Sequence, residues 1–455
     1  MCVVCVCDRF EVKCTMRDGL QFTRRGGCCH SSVFGRRGLF FFVVCGLLLS
    51  DGGIWGEGGQ PRWMGVSAEK LRPWYAWPDI NSYNRNNPKE PMHMYTVIKV
   101  GDESLWVFGG EMAESTSSGL YKLDVVSKMW TKFDVGQNVW PTARSAHAAA
   151  AIGDDFLVFG GSSQGQIGPE QGGELWKFAT QTLTWKLLDV TGDNKPASKT
   201  AHAMTAVRNS IYMFGGKTMN LRSDELWMIS MEDLSWHRLN LPDWNNTKPS
   251  ARSGHAMTNV GEYVYLHGGQ TGHGPDLSGQ VQDYSTDLWR YDTLRRVWAL
   301  LAPLDASTQP SGRIAHAIVA FGPYIYIHGG WALAGDDSPQ ALSDLWQFNI
   351  YSREWVLLNS TLGVTRPSAR GYHGMALLGT DIYLLSGSTV MMPKVQYSGE
   401  LWKLSIPEVA NVKFCDDPDG LTHRDPNPPH DMLMCCDLPN GRYGYGSFPD
   451  VTMVS

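Results

Sequence analysis

The stretch "LVFGG", residues 157–161, ends an apolar run on two adjacent glycines. The same device returns along the chain. "LWVFGG" ends at Gly110, "IYMFGG" at Gly216, "VYLHGG" at Gly269 and "IYIHGG" at Gly330, and "IYLLSG" (382–387) is a sixth, altered copy. Successive copies are spaced by 51, 55, 53, 61 and 57 residues. Self-similarity at that period marks an architecture built from repeated supersecondary units.

Other residues keep step with the glycines. Thirteen positions before the first glycine of the pair (Ser386 in the last copy) stands a histidine in five copies: His147, His202, His255, His316 and His373, with Thr96 in the first. Six positions earlier come Pro141, Pro196, Pro249, Pro310 and Pro367. After the glycines comes a leucine followed by an aromatic, Leu120-Tyr121 and then pairs ending at Trp176, Trp227, Trp289, Trp346 and Trp402. Nine residues on stand Trp130, Trp185, Trp236, Trp298 and Trp355. Each unit reads as four strands. "HAAAAIGDDFLVFGG" (147–161) is two β-rich runs around a Gly-Asp turn, and "ELWKFATQTLTWKLL" (174–188) is a second hairpin.

Double glycine, later Tyr/Trp pair and fixed offsets together resemble the kelch family, across roughly residues 74–414. The resemblance implies an all-β, six-bladed β-propeller with four-stranded antiparallel blades. In it, Gly109, Gly110, Gly160, Gly161, Gly215, Gly216, Gly268, Gly269, Gly329 and Gly330 end the second strand where neighbouring blades crowd. Glycine has no Cβ and reaches positive φ cheaply. The five late tryptophans wedge between blades, each burying about 200 Å². The sixth unit lacks a late tryptophan, whereas "RPWYAWPDI" (72–80) precedes the first. Trp77 precedes Thr96 by 19 residues, as Trp236 precedes His255. The segment 74–80 is therefore expected to supply the outer strand of the last blade.

In a four-stranded meander the 1–2 and 3–4 connections share one face, and the 2–3 connections lie on the other. The 1–2 turns are short and regular. From second glycine to the Leu-partner aromatic there are 11, 15, 11, 20 and 16 residues in the first five units. Variable loops on a rigid frame are where binding resides. Three residues before the histidine stand Arg144, Arg252, Arg313 and Arg370, with Lys199 in the remaining unit. Five cations around the channel mouth would suit a carboxylate or another anion, and some kelch relatives bind acidic peptides there. The competing reading is that these cations bond loop carbonyls; Asp276, Asp283, Asp336 and Asp337 are at hand to pair with them. The histidines read as structural, because equivalent positions on different blades are too far apart to share one ion at about 2 Å. No metal or cofactor is expected.

Composition narrows the function further. With 455 residues, 43% hydrophobic and 18% charged, the chain is globular, and a net charge of −6 with pI near 6.1 argues against a nucleic-acid binder. Seven cysteines lie at positions 2–45 and three at 415–436, none between. A copper oxidase of the galactose oxidase kind, which cross-links a propeller cysteine to tyrosine, is thereby excluded. No HExxH, GxSxG or phosphate-cradling glycine motif occurs.

"LFFFVVCGLLL" (39–49), behind Arg36 and Arg37, is too short to span a bilayer, which takes about 20 residues. It is read as a secretory signal within 1–53, followed by a linker (54–73), the propeller (74–414) and a tail with Cys and Pro (415–455) that opens a Cys-rich module. Sequons at Asn245 and Asn359 are candidate glycosylation sites. The expected function is a non-catalytic recognition scaffold, secreted or surface-displayed, that binds a protein or glycan on the variable-loop face. The alternatives are an intracellular kelch adapter and a small-molecule enzyme in the channel mouth.

Overall fold

The computed structural model describes, between 74 and 406, residues 74–76, 92–112, 115–133, 139–163, 173–190, 195–218, 221–239, 248–272, 283–301, 308–335, 338–358, 366–390 and 395–406, together with five strands nearer the N-terminus. The chain divides into two units, Gly65–Glu408 and a second made of Met1–Met64 with Val409–Ser455. In the latter, Val3–Asp8, Glu11–Met16 and Gln21–Arg25 form one antiparallel sheet, and Ser31–Phe34 pairs with Phe40–Val43 within the apolar run. Both sequons, the linker and the tail from 415 lie outside the described residues.

Among the described residues no helix occurs, and Gly65–Glu408 contains six four-stranded antiparallel sheets. Sheet one is Thr96–Val100, Ser104–Phe108, Leu120–Asp124 and Met129–Phe133. Sheet two is Ala148–Ile152, Asp155–Phe159, Leu175–Ala179 and Thr184–Leu187. Sheet three is Ala203–Val207, Ser210–Phe214, Leu226–Ser230 and Trp236–Arg238. Sheet four is Ala256–Val260, Tyr263–His267, Leu288–Asp292 and Val297–Leu300. Sheet five is Ala317–Phe321, Tyr324–His328, Leu345–Asn349 and Glu354–Leu357. Sheet six is Gly374–Leu378, Asp381–Leu385, Leu401–Ser405 and the early strand Tyr75–Ala76.

Burial follows strand position. The second strands are covered on both faces, which is why they read as unbroken apolar runs such as "DFLVF". The fourth strands bury their tryptophan and leave flanking residues exposed, as in Thr184–Leu187 and Glu354–Leu357. The first strand of each sheet lies beside that of the next, and sheet six's lies beside sheet one's. Apolar clusters span neighbouring sheets. Ile98, Trp106 and Phe108 of sheet one pack with Phe156, Phe178 and Trp185 of sheet two.

The late tryptophans are wedges. Each packs against the residue that precedes the glycines in the preceding sheet: Trp185 against Phe108 (ring centroids 4.8 Å apart), Trp236 against Phe159 (5.4 Å), Trp298 against Phe214 (5.5 Å) and Trp355 against His267 (5.5 Å). Trp130 shares a cluster with Leu385 of sheet six. In sheet six the equivalent contact is made by Trp74, 5.8 Å from His328, and Trp77 lies outside the described residues. Ala76 pairs with Trp402 and Tyr75 with Lys403, which sets Trp74 at the register of the other wedges. Within the expected segment 74–80, the described outer strand is Tyr75–Ala76.

One offset also shifts in sheet one. Five first hairpins turn over two residues, but Val100 and Ser104 are separated by three. Tyr95, rather than Thr96, therefore occupies the histidine's place. Its buried hydroxyl donates to the Leu385 carbonyl and accepts the Gly374 N–H at 3.1 Å.

The glycine pair is held between two successive histidines. At Gly160 (φ +71°) an added Cβ would lie 2.5 Å from the Lys199 carbonyl oxygen and 2.6 Å from Cε1 of His202. At Gly161 (φ +99°) it would lie 2.9 Å from Cβ of His147. Gly161 N–H donates to the Lys199 carbonyl at 3.0 Å, tying sheet two to the segment that leads into sheet three.

Candidate functional site: the mouth on the variable-loop side

The segments that lead into the first strands converge on one hydrogen-bonded cycle. Met94 N–H donates to Tyr372 O (3.3 Å), Tyr372 to Ala315 (2.9 Å), Ala315 to Gly254 (2.8 Å), Gly254 to Ala201 (2.8 Å), Ala201 to Ala146 (2.9 Å) and Ala146 back to Met94 (2.9 Å). All six residues have positive φ, between 52° and 67°. Five of them are not glycine, so strain is held in place by bonding to both neighbours.

Around this cycle, the residue before each of the six pairs with the residue that follows the glycines. The pairs are His93 with Glu111, Ser145 with Ser162, Thr200 with Lys217, Ser253 with Gln270, Ile314 with Trp331 and Gly371 with Ser388. Backbone geometry repeats while chemistry differs at every station. One side carries Glu111, whose carboxyl His93 (Nε2 to Oε2 3.7 Å) holds below the usual range against the opposing effect of burial. Elsewhere on the rim Trp331 packs with Ile314 and Tyr284, with Tyr372 and Leu333 at the edge, and Tyr372 in turn meets the His93 ring, centroids 5.7 Å apart. The 2–3 connections beyond fold into small hairpins, such as Trp331–Leu333 with Pro339–Ala341 and Ser388–Val390 with Gln396–Tyr397.

The five cations lie beneath this rim rather than on it. Arg144, Lys199, Arg252, Arg313 and Arg370 are buried, none more than 1% exposed. Arg252 spends all five donor hydrogens inside the protein. Nε donates to Ser250 O (3.1 Å), Nη1 to Gly268 O (2.8 Å) and Asp287 Oδ1 (2.6 Å), and Nη2 to Ser250 Oγ (3.1 Å) and Asp287 Oδ2 (2.8 Å). Arg313 repeats this with Ser311, Gly329 and Asp344. Arg144 pairs with Glu174 at 3.3 Å, Lys199 with Glu225 at 3.2 Å and Arg370 with Glu400 at 2.5 Å. The expected ring of cations open to a ligand is corrected accordingly. Burial lowers the Arg144, Lys199 and Arg370 pKa values, and the partner carboxylates oppose that shift.

The partner acids were not singled out from the sequence. Neither Asp276, Asp336 nor Asp337 is among the described residues, and Asp283 is exposed. The acid is the residue two before each Leu-Trp tryptophan, and the indole N–H bonds to it as well: Trp176 to Glu174 (2.9 Å), Trp227 to Glu225 (3.1 Å), Trp289 to Asp287 (2.6 Å), Trp346 to Asp344 (2.7 Å) and Trp402 to Glu400 (3.0 Å). Sheet one lacks the whole triad. Met92 stands for the arginine, Gly119 for the acid and Tyr121 for the tryptophan. Cation, acid and indole are present together or absent together, as one buried electrostatic unit requires.

The histidines sit under the same rim, edge-on to the residue before the glycines, as His147 does to Phe108. Burial, with help from Arg144, pushes His147 down to about 3, and burial does the same to His202 and His255. In sheets four and five that preceding residue is itself a histidine. His267 Nδ1 lies 3.0 Å from His316 Nε2, and His328 Nδ1 lies 3.1 Å from His373 Nε2. No three His, Cys, Asp or Glu among the described residues converge to hold a metal ion.

Repeated four-stranded meanders, glycine hinges and indole wedges define an all-β propeller-type repeat scaffold. The family model described as the KLHDC2/KLHL20/DRC7 Kelch-repeats domain matches residues 75–269 and again 168–387. The chain belongs to the kelch-repeat family. It is similar to kelch domain-containing protein 10 of Bos taurus, 22% identical over 338 residues that cover 71% of this chain and 72% of the relative. It is also similar to host cell factor 2 of Homo sapiens, 28% identical over 259 residues (54% of this chain), and to tip elongation aberrant protein 1 of Schizosaccharomyces pombe, 27% identical over 299 residues (65% of this chain). The match spans 31% and 24% of those two relatives.

Proposed function

We propose that the chain is a non-catalytic recognition scaffold, a six-bladed propeller whose last sheet is completed by the strand Tyr75–Ala76, and that it holds a protein segment over the mouth on the variable-loop side. The hydrogen-bonded cycle from Met94 to Tyr372 supports closure of the wheel. The observation that carries the binding reading is the set of six rim pairs: one backbone frame presents His/Glu, Ser/Ser, Thr/Lys, Ser/Gln, Ile/Trp and Gly/Ser stations. A ring of unlike stations suits an asymmetric ligand with a cationic end, an anionic end and an apolar side chain. The kelch family, whose members here include proteins named for the domain alone, favours a protein partner.

The test is site-resolved cross-linking. Photo-reactive residues at Lys217 and Gln270 on the rim, and at Thr184 on an outer strand, report where a partner sits. Cross-links confined to the rim are expected, with loss of the position-270 cross-link in Lys217→Glu and of the position-217 cross-link in Gln270→Arg. Partner capture only through Thr184, or capture unchanged by the two rim substitutions, rejects the reading.

A further inference from the structure

The opposite face, formed by the 1–2 and 3–4 turns, concentrates arginine in one sector. Arg208 is at the first turn of sheet three, Arg295 and Arg296 are at the second turn of sheet four, and Arg353 is at the second turn of sheet five. Corresponding second turns hold Lys128 in sheet one, no charged residue in sheet two and Glu232 with Asp233 in sheet three. Arg208, Arg296 and Arg353 occupy positive-φ turn positions (52°, 59° and 55°), which set them at the hairpin tips.

Hydrogen bonds join sheets three and four within this sector. Arg208 Nε bonds Glu262 at 2.6 Å, joining sheets three and four. Thr293 Oγ1 donates to the Glu262 carbonyl at 2.8 Å, which docks the turn bearing Arg295 and Arg296 against that pair. Arg290 lies over the Tyr263 ring, 4.6 Å from its centroid. Of the nearby acids, Glu262 is used by Arg208, Asp292 is buried and accepts the N–H groups of Leu294 (3.0 Å) and Arg295 (2.8 Å), and Glu232 and Glu354 are exposed on the flanking turns of sheets three and five, leaving Arg295 and Arg296 as the exposed cations at its centre. Asp233 accepts from Ser235 within its own turn. Arg295 and Arg296 are exposed, and Leu294 (47%) and Val297 (45%) flank them.

We propose that this sector is a second docking surface, for an acidic protein segment that also carries apolar side chains. Exposed guanidinium groups beside exposed Leu294 and Val297 fit carboxylates interleaved with aliphatic residues, and arginine is enriched at protein interfaces. The exposed aliphatic side chains of Leu294 and Val297 favour a protein segment over a nucleic acid, whose backbone offers no aliphatic group to cover them. The surface is separate from the rim and does not depend on what the rim binds.

The experiment uses the full chain and a fluorescein-labelled peptide of alternating Glu and Leu, read by anisotropy at about 50 mM salt, where surface charge is weakly screened. Saturable binding is expected, weakened about tenfold by Arg295→Glu with Arg296→Asn and unchanged by the rim substitution Lys217→Glu. Asn suits the positive-φ turn position at 296. A matching melting temperature shows that the double variant is folded; where it is not, Arg295→Gln alone, at an exposed site, is expected to weaken binding about threefold. Absence of saturable binding to the parent, equal affinity of the variants, or tighter binding of a single-stranded oligonucleotide lost in the same variants overturns the proposal.

Discussion

Asp287 grips Arg252 at both terminal nitrogens, 2.6 and 2.8 Å, and takes the indole N–H of Trp289 on the same carboxylate. Burial alone would raise the Asp287 carboxyl, but Arg252 outweighs it and holds the group below its usual range. Removing the acid leaves a guanidinium that is 1% exposed without a counter-charge. Asp287→Ala is expected to cost about 3 kcal/mol, the low end for a broken buried pair, since the carboxylate keeps 25% of its side-chain surface in water. Arg252→Met with Asp287→Leu removes both charges and is expected to recover most of that loss. Urea denaturation of the three proteins checks the order; a double variant no more stable than Asp287→Ala counts against the electrostatic account.

Acid is expected to destabilise the fold well above the carboxylate range. His147, His202, His255, His267 and His328 are held at about 3 by burial, and His316 and His373 are held well below their ordinary value by burial and imidazole neighbours. In the unfolded chain each takes a proton near 6.5, so between pH 6.5 and about 3 the unfolded state binds more protons. Stability contributed by these groups is full above 6.5 and falls as pH drops through that window, by about 1.4 kcal/mol per pH unit for each imidazole at most. Phe108, Phe159 and Phe214 fill the slot that His267 and His328 occupy. His267→Phe with His328→Phe therefore fits the frame, and should flatten the decline in urea midpoint between pH 7 and 5. An unaltered slope removes these two imidazoles as its source.

The repeat frame was legible because spacing within a hairpin is set by backbone geometry. Two-residue turns and five-residue strands carry His147, the Gly160–Gly161 pair and Trp185 at fixed offsets. Legibility failed where length is free. The extra turn residue in sheet one moved the histidine slot to Tyr95. At the rim, the arginines were visible but their partners were sought in the loops. The acids were instead one strand away, in Glu174-Leu175-Trp176 and its equivalents, where a recurring acid beside a recurring tryptophan was the available signal. Loop chemistry at the rim has no repeat to align against, so the six stations emerged only from the backbone pairing.

Two glycines separate the effect of backbone conformation from that of space. Gly153, at a turn tip with φ +55°, has nothing within 4 Å of an added Cβ. Gly153→Ala is expected to cost only the left-handed penalty, about 1 kcal/mol. Gly160→Ala adds collisions with the Lys199 carbonyl and the His202 ring at 2.5 and 2.6 Å, and is expected to cost at least about 3 kcal/mol. Thermal melts of both variants decide it. Equal losses would mean that the glycine pair is required for its dihedral alone and not for the approach of the next sheet.

Trp74 is the wedge whose sequence neighbours lie farthest from its sheet. It is 3% exposed, packs edge-on against His328, and among the described residues its strand joins sheet six through Tyr75 and Ala76 pairing with Lys403 and Trp402. Trp185 makes the equivalent contact with Phe108 inside a continuous meander. Truncating either indole removes a similar apolar area, about 3–5 kcal/mol for a buried tryptophan. In Trp185→Ala the outer strand is still tethered to its neighbour by a short turn, whereas in Trp74→Ala the early strand, distant in sequence from the rest of sheet six, keeps, among the described residues, the pairing of Tyr75 and Ala76. Trp74→Ala is therefore expected to lower the melting temperature and also to speed amide exchange at Leu401–Ser405 of sheet six, with little change at Leu175–Ala179. Deletion of residues 60–76 should reproduce that exchange pattern. If both changes leave the Leu401–Ser405 amides as protected as in the parent, the early strand is not what completes the sixth sheet.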